Sequence, residues 1–112
     1  MENMMEHNGY WGSVLFSEED NLLYGKVEFI RSLISYEAAT AKGLKKAFRE
    51  AVDDYLAMCR KQGKEPEKPF KGSFNIRVSP ALHRKLAMKA HREKTSLNKL
   101  IATALEKAME RI

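Results

Sequence analysis

Residues 72–80 read GSFNIRVSP and alternate strictly: Phe74, Ile76 and Val78 fall on one side of an extended chain, Asn75 and Arg77 on the other, and Pro80 ends the run. This is the pattern of a short strand. From Pro80 to Ile112 the sequence has helical period throughout, so the strand has no partner downstream. A lone strand leaves backbone N–H and C=O groups unpaired along both edges, which a stable domain does not leave unmanaged. A second copy of the chain resolves this. Two such strands pairing antiparallel about a twofold axis turn Phe74, Ile76 and Val78 onto the helices and leave Ser73, Asn75 and Arg77 facing water.

The residues that follow supply those helices. Ser79 can cap the first, with Pro80 at its first position, where a missing N–H costs nothing. Leu82, Leu86 and Ala90 form a narrow apolar stripe, HREKTS interrupts it, and Thr95 or Ser96 caps a second helix whose stripe is Leu97, Leu100, Ile101, Ala104, Leu105 and Ala108. One strand and two helices with one apolar face each make half a core. The expected dimer core is therefore Phe74, Ile76, Val78, Leu86, Leu97, Leu100, Ile101 and Leu105.

The front of the chain has a different texture. Residues 10–37 are rich in aromatic and branched side chains, and three short strands are expected at about 10–16, 23–29 and 31–37. Ser17-Glu18-Glu19-Asp20-Asn21 reads as the loop between the first two. From Thr40 the period becomes helical: Leu44, Phe48, Val52, Tyr55 and Cys59 recur on one face of a helix capped by Thr40 and ending near Gly63. Residues 1–63 thus read as a βββα domain. Residues 64–71, with two prolines and several lysines, read as a linker, and residues 72–112 as the strand-helix-helix module. The fold class is α+β.

Charge divides the chain in the same way. Residues 1–38 hold two basic and seven acidic side chains, residues 70–112 ten basic and three acidic. A basic module suits a polyanion, and an acidic front suits a basic partner. No apolar run is long enough to span a membrane, and the polar, acidic N-terminus is unlike a secretory signal, so a cytoplasmic protein is expected. Cys59 falls on the apolar helix face and reads as a buried thiol. Glu18, Glu19 and Asp20 are adjacent in one loop and converge poorly on a metal ion, Asp53 and Asp54 lie on the wet side of the helix, and His7, His83 and His91 are far apart. The chain is expected to be no enzyme and to need no cofactor or metal.

At SFNIRVSPALHRKLAMKA followed by TSLNKLIATALE, the sequence resembles the ribbon-helix-helix family of DNA-binding dimers. That resemblance implies base contacts in the major groove from Ser73, Asn75 and Arg77, for which Arg suits guanine and Asn adenine. It also implies phosphate contacts from Lys71, Lys94, Thr95, Ser96 and Leu97 around the ribbon and the start of the second helix. The turn Glu93-Lys94-Thr95-Ser96 departs from the family's pattern, in which many members carry glycine. A wider resemblance takes in GYWGSV, the YGKV strand and the helix LKKAFREAVDDYLAMCRKQGKEPEKP. With these segments the chain is similar to the HicB family of antitoxins from about Gly9 to Met109. This implies a truncated, inert RNase H-like front domain that blocks a HicA-type toxin, an mRNA-cleaving protein, and a C-terminal ribbon-helix-helix domain that binds operator DNA. The expected partners are that toxin, operator DNA and a second copy of the chain, with assembly beyond the homodimer left open. Trp11, Glu18, Glu19, Asp20, Glu28 and Glu37 are the candidate toxin contacts, offering acidic complementarity and one aromatic anchor. The alternative is a stand-alone ribbon-helix-helix regulator whose front domain senses a ligand or assists oligomerisation.

Overall fold

A computed structural model describes residues 3–111. The chain is α+β, with two small sheets and three helices, and divides into two units, Met1–Ser73 and Phe74–Ile112.

The front unit contains five short strands rather than three. β1 (Met4–His7) and β2 (Tyr10–Ser13) form a hairpin. β3 (Leu15–Ser17), β4 (Leu22–Lys26) and β5 (Ser35–Ala38) form an antiparallel sheet in the order β3-β4-β5. The sequence reading did not anticipate β1. Its signal lies in the turn: Asn8 and Gly9 both have positive φ, 52° and 83°, the backbone an Asn-Gly pair favours in a two-residue hairpin. The strand expected at 10–16 is broken at Val14 into β2 and β3, and the one expected at 31–37 begins only at Ser35. The two sheets are stitched by an isolated bridge between Gly12 and Val27, by the Glu28 amide donating to the Trp11 carbonyl at 2.8 Å, and by the Ser13 hydroxyl lying between the amide and carbonyl of Lys26.

α1 (Ala41–Gln62) covers the sheets. Thr40 caps it, accepting the Gly43 amide at 3.0 Å, and Gly63 ends it at φ 67°, with the Lys64 amide returning to the Cys59 carbonyl. Its buried face is Leu44, Phe48, Val52, Tyr55 and Cys59, the apolar period read from the sequence. Leu44, Phe48 and Val52 are essentially removed from water, each contributing roughly 1.5–3 kcal/mol by burial. Tyr10, Val27 and Tyr36 complete the core from the strands. Gly12 and Gly25 allow the close approach: a side chain at either would collide with the Tyr36 hydroxyl, and at Gly12 also with the Phe48 ring. His7 ties the hairpin to the helix through Asp53 at 2.9 Å.

In the second unit, residues 73–79 belong to no strand of the single chain. α2 (Pro80–Arg92) is capped by Ser79 with proline at its start, and α3 (Leu97–Met109) is capped by Ser96 rather than Thr95, accepting the Lys99 amide at 3.0 Å. Between them Lys94 takes the left-handed conformation, φ 54°, and the Thr95 amide bonds back to the Ala90 carbonyl. Lysine thus adopts here the backbone that glycine would take. No described helix is long and apolar enough to cross a membrane.

Candidate nucleic-acid and partner interfaces

The second unit is short of a core. Ala90 is its sole buried residue among those described, while Phe74, Ile76 and Val78 are 75%, 55% and 40% exposed and Leu82, Met88, Leu105 and Met109 also lie open. Leu86, Leu97, Leu100 and Ile101 are half-buried. An open groove lined by Phe74, Leu105, Ala108 and Met109, with Glu106 and Glu110 at its rim, shows the same deficit from the α3 side. An apolar face of this extent on so small a unit marks an interaction surface.

The polar half of the segment is equally open. Ser73, Asn75 and Arg77 are all exposed, as is Lys71, and Gly72 takes φ 88° at the start of the run. Lys94 and Ser96 are exposed and Thr95 and Leu97 half-buried at the α2–α3 turn. With Ser96 committed to the Lys99 amide, the first backbone amides of α3 and the Lys94 ammonium are what the turn offers an anion.

In the front unit the candidate contacts fall into separate places. Asp20 and Glu37 line one shallow depression with Ser17, Leu22, Tyr24 and Ser35, on the sheet face away from α1, where Tyr24 of β4 sits opposite Glu37 of β5. Glu18 and Glu19 are exposed in the same loop but outside that depression. The Asp20 amide donates to the Ser17 hydroxyl, which folds the loop on itself. Trp11 and Glu28 are joined through the backbone at the seam between the sheets, both half-buried. Among the described residues no group of three or more His, Cys, Asp or Glu side chains is placed to hold a metal ion.

The segment read as a linker makes the contacts that sequence reasoning missed. Glu67 accepts the amides of Arg31 at 2.7 Å and Ser32 at 3.1 Å and the hydroxyl of Ser32. Its own backbone is gripped by two tyrosines: the Tyr10 hydroxyl donates to its carbonyl, and its amide donates to the Tyr55 hydroxyl at 2.9 Å. The Ser32 hydroxyl, then the Arg31 amide, hold the Glu67 carboxyl below its ordinary range. Burial pushes the Tyr10 and Tyr55 hydroxyls up, and it pushes Tyr36 up to about 12 even though its bond to Ser13 acts in the opposite sense. Phe70 then packs on Phe29, with ring centroids 4.7 Å apart. No periodicity announces such a clamp, because it rests on single side chains spaced by irregular chain.

The model of the HicB family matches residues 55–105. That match supports a HicB family protein. The matched stretch runs from the last turns of α1 through the clamp and the extended segment to the body of α3, so it includes Asn75, Arg77 and the α2–α3 turn. No curated protein and no solved structure matches the chain. HicB membership points to a toxin–antitoxin system, with a toxin as partner.

Proposed function

We propose that this HicB protein is an antitoxin with two tasks: its front unit binds and neutralises a HicA-type mRNA-cleaving toxin, and its second unit, as a homodimer, binds the operator of its own operon. The observation that carries the reading is segment 73–79, which belongs to no strand of the single chain and leaves Phe74, Asn75, Ile76, Arg77 and Val78 all exposed, apolar and polar residues alternating along it.

Pairing two such segments antiparallel removes the open backbone edges and covers the apolar side chains in one step. It also presents a two-stranded ribbon whose outer face carries Ser73, Asn75 and Arg77, of a width that enters the major groove, where Arg can take guanine O6 and N7 and Asn adenine N6 and N7. Lys71, Lys94 and the amides of Thr95, Ser96 and Leu97 then hold the flanking phosphates. This is a ribbon-helix-helix dimer built around Phe74, Ile76, Val78, Leu86, Leu97, Leu100, Ile101 and Leu105.

The front unit acts by occupation rather than by chemistry. A toxin that grips RNA presents positive charge, and residues 1–38 oppose it with seven acidic side chains against two basic. The fold is a partial RNase H-like one without catalysis. The test is a binding titration with DNA from the chain's own promoter: Asn75→Ala with Arg77→Ala abolishes operator binding and leaves the dimer intact, each lost base contact costing about 1–3 kcal/mol. Undiminished binding by the double variant rules the ribbon out as the reading edge.

A further inference from the structure

The sheet β3-β4-β5 is covered on one face only. α1 packs on the side where Leu23, Tyr36 and Ala38 join the core. Successive residues of a strand point to opposite faces, so Leu15, Tyr24 and Glu37 form a row on the bare side, Leu15 opposite Tyr24 and Tyr24 opposite Glu37 across the three strands. Leu15 is 50% exposed, Tyr24 42%, and Leu22 is half-buried on the same face. None of the four belongs to the core, so folding of the front unit does not account for an apolar and aromatic row there.

Charge on this face is sorted along the strands. At one end the loop after β3 folds back: Asn21 takes φ 52°, the Asp20 amide donates to the Ser17 hydroxyl at 3.2 Å, and that hydroxyl donates to the Asp20 carboxylate at 3.4 Å. Asp20 is thereby brought to the depression that Glu37, Tyr24 and Leu22 also line, with Glu18 and Glu19 exposed in the same loop. The cations lie toward the other end. Lys26, opposite Ser35, is four residues along β4 from Leu22, about 13 Å, and Arg31 is further on, in the loop that the Val27 amide and Ile34 carbonyl close. Neither lines the depression, and among the described residues neither Asp20 nor Glu37 is ion-paired. With Lys26 counted, this surface sets four carboxylates against one ammonium.

Resting on the antitoxin reading above, we infer that the bare face of β3-β4-β5 seats the toxin, and that the depression lined by Asp20 and Glu37 takes a lysine or arginine side chain of the toxin against the Tyr24 ring. An aromatic face attracts a cation, and the carboxylates add charge-assisted hydrogen bonds to the same group. Leu15 and Leu22 supply apolar contact around it. Glu18 and Glu19, in water at the rim, speed the approach of a basic partner rather than hold it. A nucleic acid, or the same face of a second copy, would bring like charge to these acids. Trp11 and Glu28, at the seam between the sheets, lie outside the depression.

The test measures association and dissociation rates of the full chain with the purified product of the adjacent toxin gene, inactivated for RNA cleavage. Asp20→Asn with Glu37→Gln, both at exposed positions, leaves the melting temperature unchanged and weakens toxin binding at least tenfold, through faster dissociation. Tyr24→Leu, which keeps an apolar side chain but removes the ring, acts in the same way. Glu18→Gln with Glu19→Gln slows association and flattens its salt dependence, with dissociation unchanged. Glu50→Gln with Asp54→Asn removes two acids from the exposed side of α1, controls for net charge, and leaves the dissociation rate unchanged. Wild-type dissociation in the Asp20 and Glu37 double variant overturns this inference alone. So does an equal loss in the α1 control, or toxin binding retained while the double variant loses self-association. Absence of toxin binding by the wild-type chain overturns the antitoxin reading and this inference with it.

Discussion

Gly12 passes so closely over Phe48 that a Cβ at position 12 would stand 2.6 Å from two carbons of the ring. The ring is wholly buried and stacks on Tyr36 at 5.4 Å, and the Tyr36 hydroxyl donates to the Ser13 carbonyl at 2.8 Å, so it has nowhere to retreat. Gly12 of the hairpin and Tyr36 of the sheet therefore both close on the same ring of α1. Gly12→Ala is expected to destabilise the front unit by about 1–3 kcal/mol, the cost of overpacking a closed core. Thermal denaturation followed by far-UV circular dichroism measures it. Gly25→Ala, whose Cβ would meet the Ser13 backbone carbonyl itself, is expected to cost at least as much.

Lys94 offers the opposite sign. A non-glycine residue at φ 54° in the α2–α3 turn carries strain that glycine lacks, so Lys94→Gly is expected to stabilise the second unit by roughly 0.5–1 kcal/mol. If Lys94 also holds a phosphate, the same change lowers affinity for operator and non-operator DNA alike and makes binding less salt-dependent, by about 0.9 in the log–log slope per lost contact. Denaturant titration and DNA titrations at two salt concentrations separate the two effects.

The clamp predicts a pH dependence. The Glu67 carboxyl is held below its ordinary value of 4.5 in the folded chain, so its contribution to stability is complete above that value and is lost as pH falls through the lower folded one. Amide exchange at Arg31 and Ser32 is expected to quicken relative to the α1 core as the solution is acidified below pH 4.5. In Glu67→Ala the same amides exchange quickly at neutral pH, and the acid-dependent step disappears.

The apolar side of the extended segment predicts association. Phe74→Asp or Ile76→Asp places a charge where two chains would pack, and is expected to convert the dimer to monomer in sedimentation experiments without unfolding the front unit.

Much of this was legible in the sequence where a regular period carried the signal. α1 is bounded by Thr40 and Gly63 because a five-residue apolar face and two capping residues agree with one another, and α2 and α3 follow from their own stripes and serine N-caps. β1 was not, since Met4-Met5-Glu6-His7 does not alternate and its evidence lies wholly in the Asn8-Gly9 turn. Phe29 and residues 31–34 fall within the strands expected at 23–29 and 31–37 for their aromatic and branched side chains, but the Val27 amide and Ile34 carbonyl close this stretch on itself and Glu67 caps it. Of the candidate toxin contacts, Asp20 and Glu37 share a surface that β4 and β5 bring together, which spacing alone does not reveal. Phe29 and Phe70 were invisible as a pair, since forty residues separate them and each looks in isolation like an ordinary apolar side chain.

The central claim is that this HicB protein disarms a toxin. Its most direct test is growth of cells in which the adjacent toxin gene is induced with and without co-expression of the full chain. The account predicts arrest with the toxin alone, restored growth when the chain is supplied, and co-purification of the two proteins. Continued arrest in cells that contain folded chain, with no complex recovered, would contradict it.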